Sequence, residues 1–177
     1  EINEENNTLT IPIAFKNCAN ASLPDLEVKI TSFGPYSTKL GDYISVDMNI
    51  TNTGDVEVSK FDVSLYLSED QKFDGGGDGT KDNRLKEDGK ITIKEPLGPN
   101  ESRAVSMTAF TNTNNTTITS TGIQYLFAVL DEDREIIEQD KKNNIDYRPV
   151  SITAIDCYYN FFNEKVSVSY LKNSEFL

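Results

Sequence analysis

GIQYLFAVLDEDREIIEQDKKNN, residues 122–144, carries the strongest structural signal in the chain. It begins with residues 123–131, a short run of mainly aromatic and aliphatic side chains. Such a run is too short to cross a bilayer and is typical of a strand that is buried on both faces. The acidic segment after it predicts a turn, anchored by Ile136 and Ile137, and a polar tract then leads to a last strand at residues 145–152. We therefore expect a central strand with which the rest of the chain pairs.

Upstream segments alternate apolar with polar residues, which is the pattern of a half-buried strand. Predicted strands lie at residues 26–31, 44–51, 61–67, 91–94 and 105–109. Helical periodicity is nearly absent, and the polar residues 111–119 are expected to be exposed. Seven short strands at roughly ten-residue spacing predict an all-β fold, an immunoglobulin-like antiparallel β-sandwich. A partly closed barrel is the alternative architecture.

Composition excludes several classes of partner. The 177 residues suit one domain with appendages, and they carry a formal charge of −12 and no histidine. Nucleic acid and anionic membrane surfaces need a basic counter-surface, so neither is an expected partner. No apolar run approaches the roughly 20 residues of a membrane helix, so direct membrane insertion is not expected either. A simpler interpretation of the negative charge is solubility.

Asparagine and cysteine positions bear on the compartment. Asn-X-Ser/Thr sequons, the acceptors of N-linked glycans, favour an exported, extracellular or cell-surface protein. They occur at Asn6, Asn20, Asn49, Asn100, Asn114 and Asn115. Cys18 and Cys157 are candidates for a disulfide, for pairing with other chains, or for small buried side chains.

An acidic, glycine-rich loop at residues 68–85 has the character of a ligand site. Asp70, Asp74, Asp78 and Asp82 recur every four residues around a glycine cluster. Calcium takes six to eight oxygen ligands, which clustered carboxylates on a flexible loop supply. The spacing is not that of an EF-hand, and a solvated acidic loop is the alternative interpretation. A second acidic cluster, residues 131–135, is predicted to be an exposed turn that faces the first loop if both lie at one end.

Catalytic chemistry has little support in the sequence. Without histidine, a serine or cysteine nucleophile lacks its usual base, and a zinc site lacks its commonest ligand. The acidic residues lie in polar loops with nothing to raise one pKa, so paired-carboxylate hydrolysis is not favoured. An aromatic cluster, Tyr158-Tyr159 with Phe161-Phe162, is interpreted as core or interface in preference to a sugar platform. We therefore expect no enzyme activity.

The two ends of the chain share a pattern. Residues 6–15 and residues 143–152 both read Asn-Asn, four residues, proline, a β-branched aliphatic residue, a small residue and a large apolar one. An acidic segment with isoleucine precedes each copy, and a cysteine follows each. The first copy therefore has the pattern of a last strand without the strands that would accompany it.

Several motifs together resemble the cell-adhesion-related domain of bacteria and archaea (CARDB). They are Pro24-Asp25-Leu26, Leu40-Gly41-Asp42, Asn52-Thr53-Gly54, Leu65-Tyr66-Leu67-Ser68, Leu97-Gly98-Pro99-Asn100-Glu101-Ser102, and residues 122–131 followed by Ile137-Glu138 and Asn143-Asn144. The resemblance covers about residues 24–152 and implies an immunoglobulin-like sandwich on exported surface proteins, often in tandem, with no catalytic residues. The long insertion at residues 68–89 and the extra ends depart from that pattern.

The resemblance gives the repeated pattern a meaning. Residues 1–16 resemble the end of a preceding repeat, residues 17–24 form a linker, residues 25–152 form the sandwich, and residues 153–177 extend it or begin another repeat. An amphipathic strand with Leu9, Ile11, Ile13 and Phe15 on one face is expected either to fold back or to join a neighbour by strand addition. We expect a structural or adhesion unit that self-associates or contacts similar repeats. The alternatives are a boundary in a tandem array, or an accessory module of a secreted enzyme that binds calcium or surface glycans.

Overall fold

The computed structural model describes residues 22–75, 82–113 and 121–153 of the chain. Within these residues the chain forms nine β-strands and no helix. The strands are β1 (Leu26–Gly34), β2 (Ser37–Lys39), β3 (Tyr43–Asn52), β4 (Phe61–Ser68), β5 (Asn83–Lys86), β6 (Lys90–Ile93), β7 (Ser102–Thr113), β8 (Gly122–Leu130) and β9 (Ile145–Thr153). In the same residues, no helix is long and apolar enough to span a membrane.

Two sheets face each other across one main core. The first sheet runs β1-β3-β7 with antiparallel pairing throughout. The second contains β6, β4, β8 and β9 in antiparallel order, with β2 added parallel to β9. The short strand β5 pairs with β7 in the first sheet and with β4 in the second, so it joins the sheets along one side. This arrangement confirms the predicted all-β sandwich.

Apolar alternation explains the core. Along β3, Ile44, Val46, Met48 and Ile50 point inward and are buried, while the residues between them face outward or lie half-buried. Their side chains meet those of the second sheet in a cluster that includes strands of both sheets. Burying such side chains stabilises the fold by about 1.5–3 kcal/mol each.

β8 is the central strand that the sequence predicted, since β4 and β9 flank it. The five residues Leu126–Leu130 are buried on both faces. One face contributes to the main core, and the other contributes Phe127 and Val129 to a second apolar cluster on the outer face of the sheet. The expectation for Ile123 is wrong, because it is 70% exposed. Pairing between β4 and β8 begins only at Tyr125, so Ile123 extends past the end of β4.

Other differences concern strands that carry little apolar signal. The sequence did not predict β2 or β5, and β7 continues to Thr113 through part of the predicted exposed segment. Thr111 is fully buried, with its hydroxyl oxygen 2.9 Å from the carbonyl oxygen of Lys39 and 2.7 Å from that of Asp42. The hydroxyl is within hydrogen-bond distance of these two carbonyl oxygens of the turn before β3, which explains why a polar residue is buried here.

Candidate functional site

The described part of the acidic loop is held by its own polar contacts. The backbone N–H of Lys72 donates to Asp70 Oδ1 at 3.0 Å, and Lys72 Nζ lies 2.5 Å from Asp74 Oδ1. The backbone N–H of Asp74 donates to Asp82 Oδ2 at 2.6 Å. Asp82 is only 3% exposed, so it anchors the loop and is not part of a solvated surface. Asp78 lies outside the described residues.

An aromatic contact fixes where the loop lies. The Phe73 ring packs on Tyr66 and Phe127, with ring centroids 5.0 and 5.8 Å apart, so it covers the outer face of the second sheet. This contact brings Asp74 beside the turn after β8. A cavity of 330 Å³ forms there, lined by residues that include Asp74, Asp131, Glu132, Arg134, Lys141 and Asn144. The two acidic segments therefore do meet at one end of the sandwich.

The turn after β8 is more buried than the sequence suggested. Asp131 is only 7% exposed, and its φ of 45° lies in the left-handed region. Its Oδ1 accepts the N–H of Glu135 at 2.9 Å, and its Oδ2 accepts the N–H of Ile136 at 3.1 Å. Lys141 Nζ lies 3.0 Å from the same Oδ2. The expectation of an exposed acidic turn is wrong for Asp131, because this carboxylate organises the turn from inside.

Glu132 connects three strands. Its carboxylate accepts hydrogen bonds from the Tyr66 hydroxyl at 2.5 Å, from Arg84 Nη1 at 2.9 Å and from Lys90 Nζ at 2.7 Å. These donors belong to β4, β5 and β6. Burial alone would raise the pKa of Glu132, but the bonds from Lys90 and Tyr66 hold that pKa below its usual value. Burial, followed by the bond to Glu132, raises the pKa of Tyr66.

These contacts limit the chemistry that this end can perform. Calcium requires six to eight oxygen ligands, and the lining of the cavity includes the cations Arg134 and Lys141. Within the described ranges, no group of three or more histidine, cysteine, aspartate or glutamate side chains is arranged to hold a metal ion. The described carboxylates Asp131 and Glu132 already hold backbone amides, a tyrosine and basic side chains. Their arrangement therefore stabilises strands and a turn.

A buried asparagine explains two of the sequence motifs. Asn52 Oδ1 accepts the N–H groups of Asp25 and Gly54, each at 3.1 Å. Its Nδ2 donates to the carbonyl oxygens of Val56 at 2.8 Å and Leu97 at 3.0 Å. A side chain at Gly54 would place its Cβ 2.5 Å from the backbone nitrogen of Asp25, so only glycine fits this close approach. Asn52 thus joins the start of β1 to the two connections that follow β3 and β6.

The segment after the turn closes the edge of β1. Glu138 has a fully buried side chain, and its Oε2 accepts the N–H of Leu26 at 2.7 Å. Its Oε1 accepts from Asn144 Nδ2 at 2.8 Å, and the N–H of Val28 donates to the carbonyl oxygen of Asn143 at 3.1 Å. Burial raises the pKa of Glu138 above its usual value, although the Leu26 amide and Asn144 favour the charged form.

Two charged side chains of β9 continue this closure. Asp146 Oδ2 accepts the N–H of Ile30 at 2.8 Å, and Arg148 Nη2 donates to the carbonyl oxygen of Ile30 at 2.8 Å. On the β9 side, Asp146 Oδ1 accepts the N–H of Tyr147 at 2.9 Å, and Arg148 Nη1 donates to the Tyr147 carbonyl at 2.7 Å. Pro149 has no N–H to offer. We call this line, from Leu26 to Ile30 and from Ile145 to Pro149, the β1–β9 seam.

Sequence reasoning did not assign a role to Asp146 or Arg148. Their signal is a pair of opposite charges two residues apart, on one face of a predicted strand. Such a pair in a strand beside a core indicates side chains that protect a strand edge.

The remaining predicted site residues have simple placements. Asn49 is half-buried on the outer face of β3, and Asn100 is exposed in a turn with a φ of 59°. The others lie outside the described residues: Asn6, Asn20, Asn114, Asn115, Leu9, Ile11, Ile13, Phe15, Cys18 and Cys157, together with the aromatic residues at 158–162.

Comparison with protein families agrees with this architecture. A family model, CARDB, matches residues 23–148, which is most of the chain. The chain belongs to the CARDB family. CARDB is a cell-adhesion-related family whose domains are non-catalytic. The family match includes Asn52 and Glu138, which the structure shows to be structural hydrogen-bond centres.

Solved structures show the same fold. The crystal structure of a CARDB domain from Pyrococcus furiosus, in complex with di-metal ions, is 23% identical with a TM-score of 0.50, and the similarity covers 76% of this chain and 97% of that one. A solution NMR structure of the same domain has a TM-score of 0.47 at 23% identity, covering 74% of this chain and 96% of that one. A β-glucosidase from Listeria innocua in complex with glucose is 16% identical with a TM-score of 0.46, covering 73% of this chain and 16% of the enzyme. A search of curated proteins finds no match.

Proposed function

We propose that this CARDB chain is a non-catalytic structural or adhesion unit of an exported cell-surface protein or filament. Neighbouring units are joined by β-strand addition through Leu9, Ile11, Ile13 and Phe15. The observation that carries the proposal is membership of a cell-adhesion-related family, combined with a polar network that holds strands together. Six sequons support export and leave room for glycans on the surface.

The polar network supports a mechanical role over a chemical one. Glu132 ties β4, β5 and β6, and Asp131 holds the turn that leads to β9. Side chains used in this way resist the relative sliding of strands, because a hydrogen bond to a charged group stabilises the fold by about 1.5–3 kcal/mol. A surface unit under tension benefits from such cross-strand ties.

The repeated sequence pattern supports strand addition. Residues 6–15 match residues 143–152, and the second copy forms β9, which pairs with β8 along its length and has beyond it only the short strand β2, at residues 151–153, among the described residues. In β9 the proline of the pattern, Pro149, lies on the edge away from β8, where no N–H is needed. The first copy therefore has the sequence of a strand whose proline side needs no backbone partner. We propose that residues 1–16 end a preceding repeat, that residues 17–24 are a linker, and that residues 153–177 begin a following one.

Deletion of residues 1–16 tests the joining segment. We expect the full chain to associate with rising concentration in size-exclusion chromatography with light scattering, and the deletion variant to stay monomeric. Ile11→Asp should act like the deletion because it places a charge on the apolar face, while the matched variant Thr10→Asp should associate like the full chain. Equal association of the full chain and the deletion variant would exclude strand addition by this segment.

A second candidate function is a calcium- or carbohydrate-binding accessory module of a larger secreted enzyme. The observation in its favour is the cavity where Asp74 meets Asp131 and Glu132. Isothermal titration of the full chain with calcium, and separately with soluble glycans, addresses it. A monomeric chain whose calcium heat disappears in Asp74→Asn but persists in the matched surface variant Asp55→Asn would favour this second function. Titrations that show no binding heat with either calcium or glycans would exclude this second function.

A further inference from the structure

Among the described residues, β7 has an unpaired edge opposite the β1–β9 seam. Between Ser102 and Thr108, within the part of the chain that the structure describes, β7 pairs only with β3, because β5 reaches it only at Phe110 and Thr113. The N–H of Asn52 donates to Glu101, and the N–H of Thr111 donates to Asp42, so odd-numbered residues of β7 face β3. The N–H and C=O groups of the even-numbered residues therefore lie in the plane of the sheet and point away from β3. We call the backbone groups of Ala104, Ser106 and Thr108 the β7 edge.

The β7 edge borders an opening in the side of the sandwich that is closed at both of its ends. At one end, β5 joins the two sheets through its pairs with β4 and β7. At the other end, Arg103 donates to the carbonyl oxygens of Glu95 at 2.8 Å and Pro96 at 3.0 Å, which fixes the connection after β6. That connection follows β6, whose Ile91 and Ile93 are only partly buried against the main core. A strand placed here would cover the exposed parts of these side chains.

Within the described residues, no charged residue, proline or bulge lies at the positions that form the β7 edge. Ala104, Ser106 and Thr108 are small and uncharged, with no proline among them, and β7 pairs with β3 in unbroken register along this stretch. Native proteins usually blunt a free edge with charges, prolines or bulges, as Asp146, Arg148 and Pro149 do at the β1–β9 seam. A sheet edge that has no partner among the described residues, in a chain whose other long edge is protected, is suited to receive a strand.

We propose that the β7 edge receives residues 9–15 of a neighbouring copy as an added parallel strand. This inference rests on the proposed function, and it specifies which edge accepts the segment and in which direction. Leu9, Ile11, Ile13 and Phe15 then face inward toward Ile91, Ile93 and the main core. Residues 9–15 and the three residues of the β7 edge are all uncharged, so the pairing itself places no charge between the two strands.

Pro12 sets the direction. The residues whose backbone groups would bond an added strand, Ala104, Ser106 and Thr108, have side chains that face outward. An antiparallel partner would bond through its own outward residues, Thr10, Pro12 and Ala14, and Pro12 has no N–H to donate. A parallel partner bonds through its inward residues instead, and Pro12 then points to the new outer edge. In that position Pro12 also blocks the addition of a further strand.

The parallel direction favours a neighbouring copy over the same chain. Phe15 would lie near Ala109, while Ser22 lies beyond Leu26 at the opposite end of the sheet, where the Leu23 carbonyl accepts the N–H of Asp55. Roughly eight residues along the strands and three strand spacings across them separate these points by about 30 Å. The seven residue steps from Phe15 to Ser22 span at most about 25 Å when fully extended. A second copy meets no such limit.

Edge variants of the full chain test the inference. In Ala104→Pro, the proline removes one N–H from the β7 edge without removing a bond to β3. The matched control is Thr92→Pro, which removes an outward N–H from the edge of β6. By light scattering across a concentration series, we expect Ala104→Pro to raise the dissociation constant at least tenfold and Thr92→Pro to change it less than twofold. Thermal unfolding checks that both variants fold.

Photo-crosslinking of the otherwise unchanged full chain gives a second readout. With 4-benzoylphenylalanine at Thr10, in a mixture of ¹⁵N-labelled and unlabelled chains, crosslinks should join residues 102–109 of one isotope form to residue 10 of the other. Crosslinks within one chain, or to other strands, would overturn the inference. So would normal association of Ala104→Pro when deletion of residues 1–16 abolishes association, a result that leaves strand addition itself intact. A full chain that stays monomeric at every concentration would overturn both.

Discussion

Along the β1–β9 seam, side chains occupy the backbone groups that another strand would need, whereas along the β7 edge the same kind of groups face outward without a described partner. The two edges belong to the same first sheet and are similar in length. The two edges differ in the side chains that are placed to bond their outward backbone groups. The seam is closed by Glu138, Asp146 and Arg148, while the β7 edge carries alanine, serine and threonine. One sandwich can therefore be protected against strand addition on one side and open to it on the other.

Removing a side chain that bonds the backbone of the β1–β9 seam should have the largest effect on stability. Asp146→Ala leaves the N–H groups of Ile30 and Tyr147 without their acceptor and Arg148 without its ion pair, so we expect a loss of about 2–4 kcal/mol of unfolding free energy. Denaturant unfolding measures it. The matched control is Asp47→Ala, whose exposed carboxylate accepts from the hydroxyls of Ser32 and Ser106 among the described residues and should cost clearly less than Asp146→Ala. Equal losses in the two variants would contradict the role given to the seam.

Weakening the hydrogen bonds of Glu132 to β4, β5 and β6 should have an intermediate effect on stability that depends on pH. Glu132→Gln keeps the shape but weakens the bonds from Arg84 and Lys90, so we expect a loss of about 1–2 kcal/mol at pH 7. The pKa of Glu132 is lowered on folding from its usual 4.5, so its stabilisation is present above that pH and is lost as pH falls through the folded value. Chemical unfolding between pH 7 and pH 3 should show the wild-type advantage shrinking with acidity. An advantage that is constant over this range would contradict the assignment.

Replacing Glu138 should have the smallest effect on stability, and the sign of its pH dependence should be opposite to that of Glu132. Its pKa is raised above 4.5 on folding, so the protonated form is favoured in the folded state, and stability falls as pH rises through the folded value. Glu138→Gln keeps an acceptor for Leu26 and should lie within about 1 kcal/mol of wild type. We expect the variant to gain relative to wild type between pH 4 and pH 7, measured by the same unfolding experiments. A relative loss over that range would show that the carboxylate is stabilised in the seam.

The sequence predicted the elements whose apolar residues alternate clearly. The inward side chains of β3 and the doubly buried residues of β8 carry that signal within a few positions. β2 and β5 carry too little of it: Thr38 and Leu85 are their buried residues, and pairing with distant strands determines where each lies. Local patterns cannot show such pairing.

The candidate sites were harder to predict for the same reason. Asp131 appeared in an acidic run that looked exposed, yet the N–H groups of Glu135 and Ile136 and the ammonium group of Lys141 make its burial favourable. Asp82 lies in a polar loop, but its carboxylate accepts from the Asp74 backbone, next to Phe73, whose ring packs on the sheet. Whether a carboxylate in such a segment is a ligand or a structural anchor depends on contacts made only after folding.

Hydrogen exchange at single amides tests the contrast between the two edges most directly. At concentrations where the chain is monomeric, the amides of Leu26, Val28 and Ile30 should be protected by their bonds to Glu138, Asn143 and Asp146. Those of Ala104, Ser106 and Thr108 should exchange rapidly in the monomer and become protected when the full chain associates. Rapid exchange along β1 in the monomer, or β7 amides whose exchange does not change on association, would contradict the account.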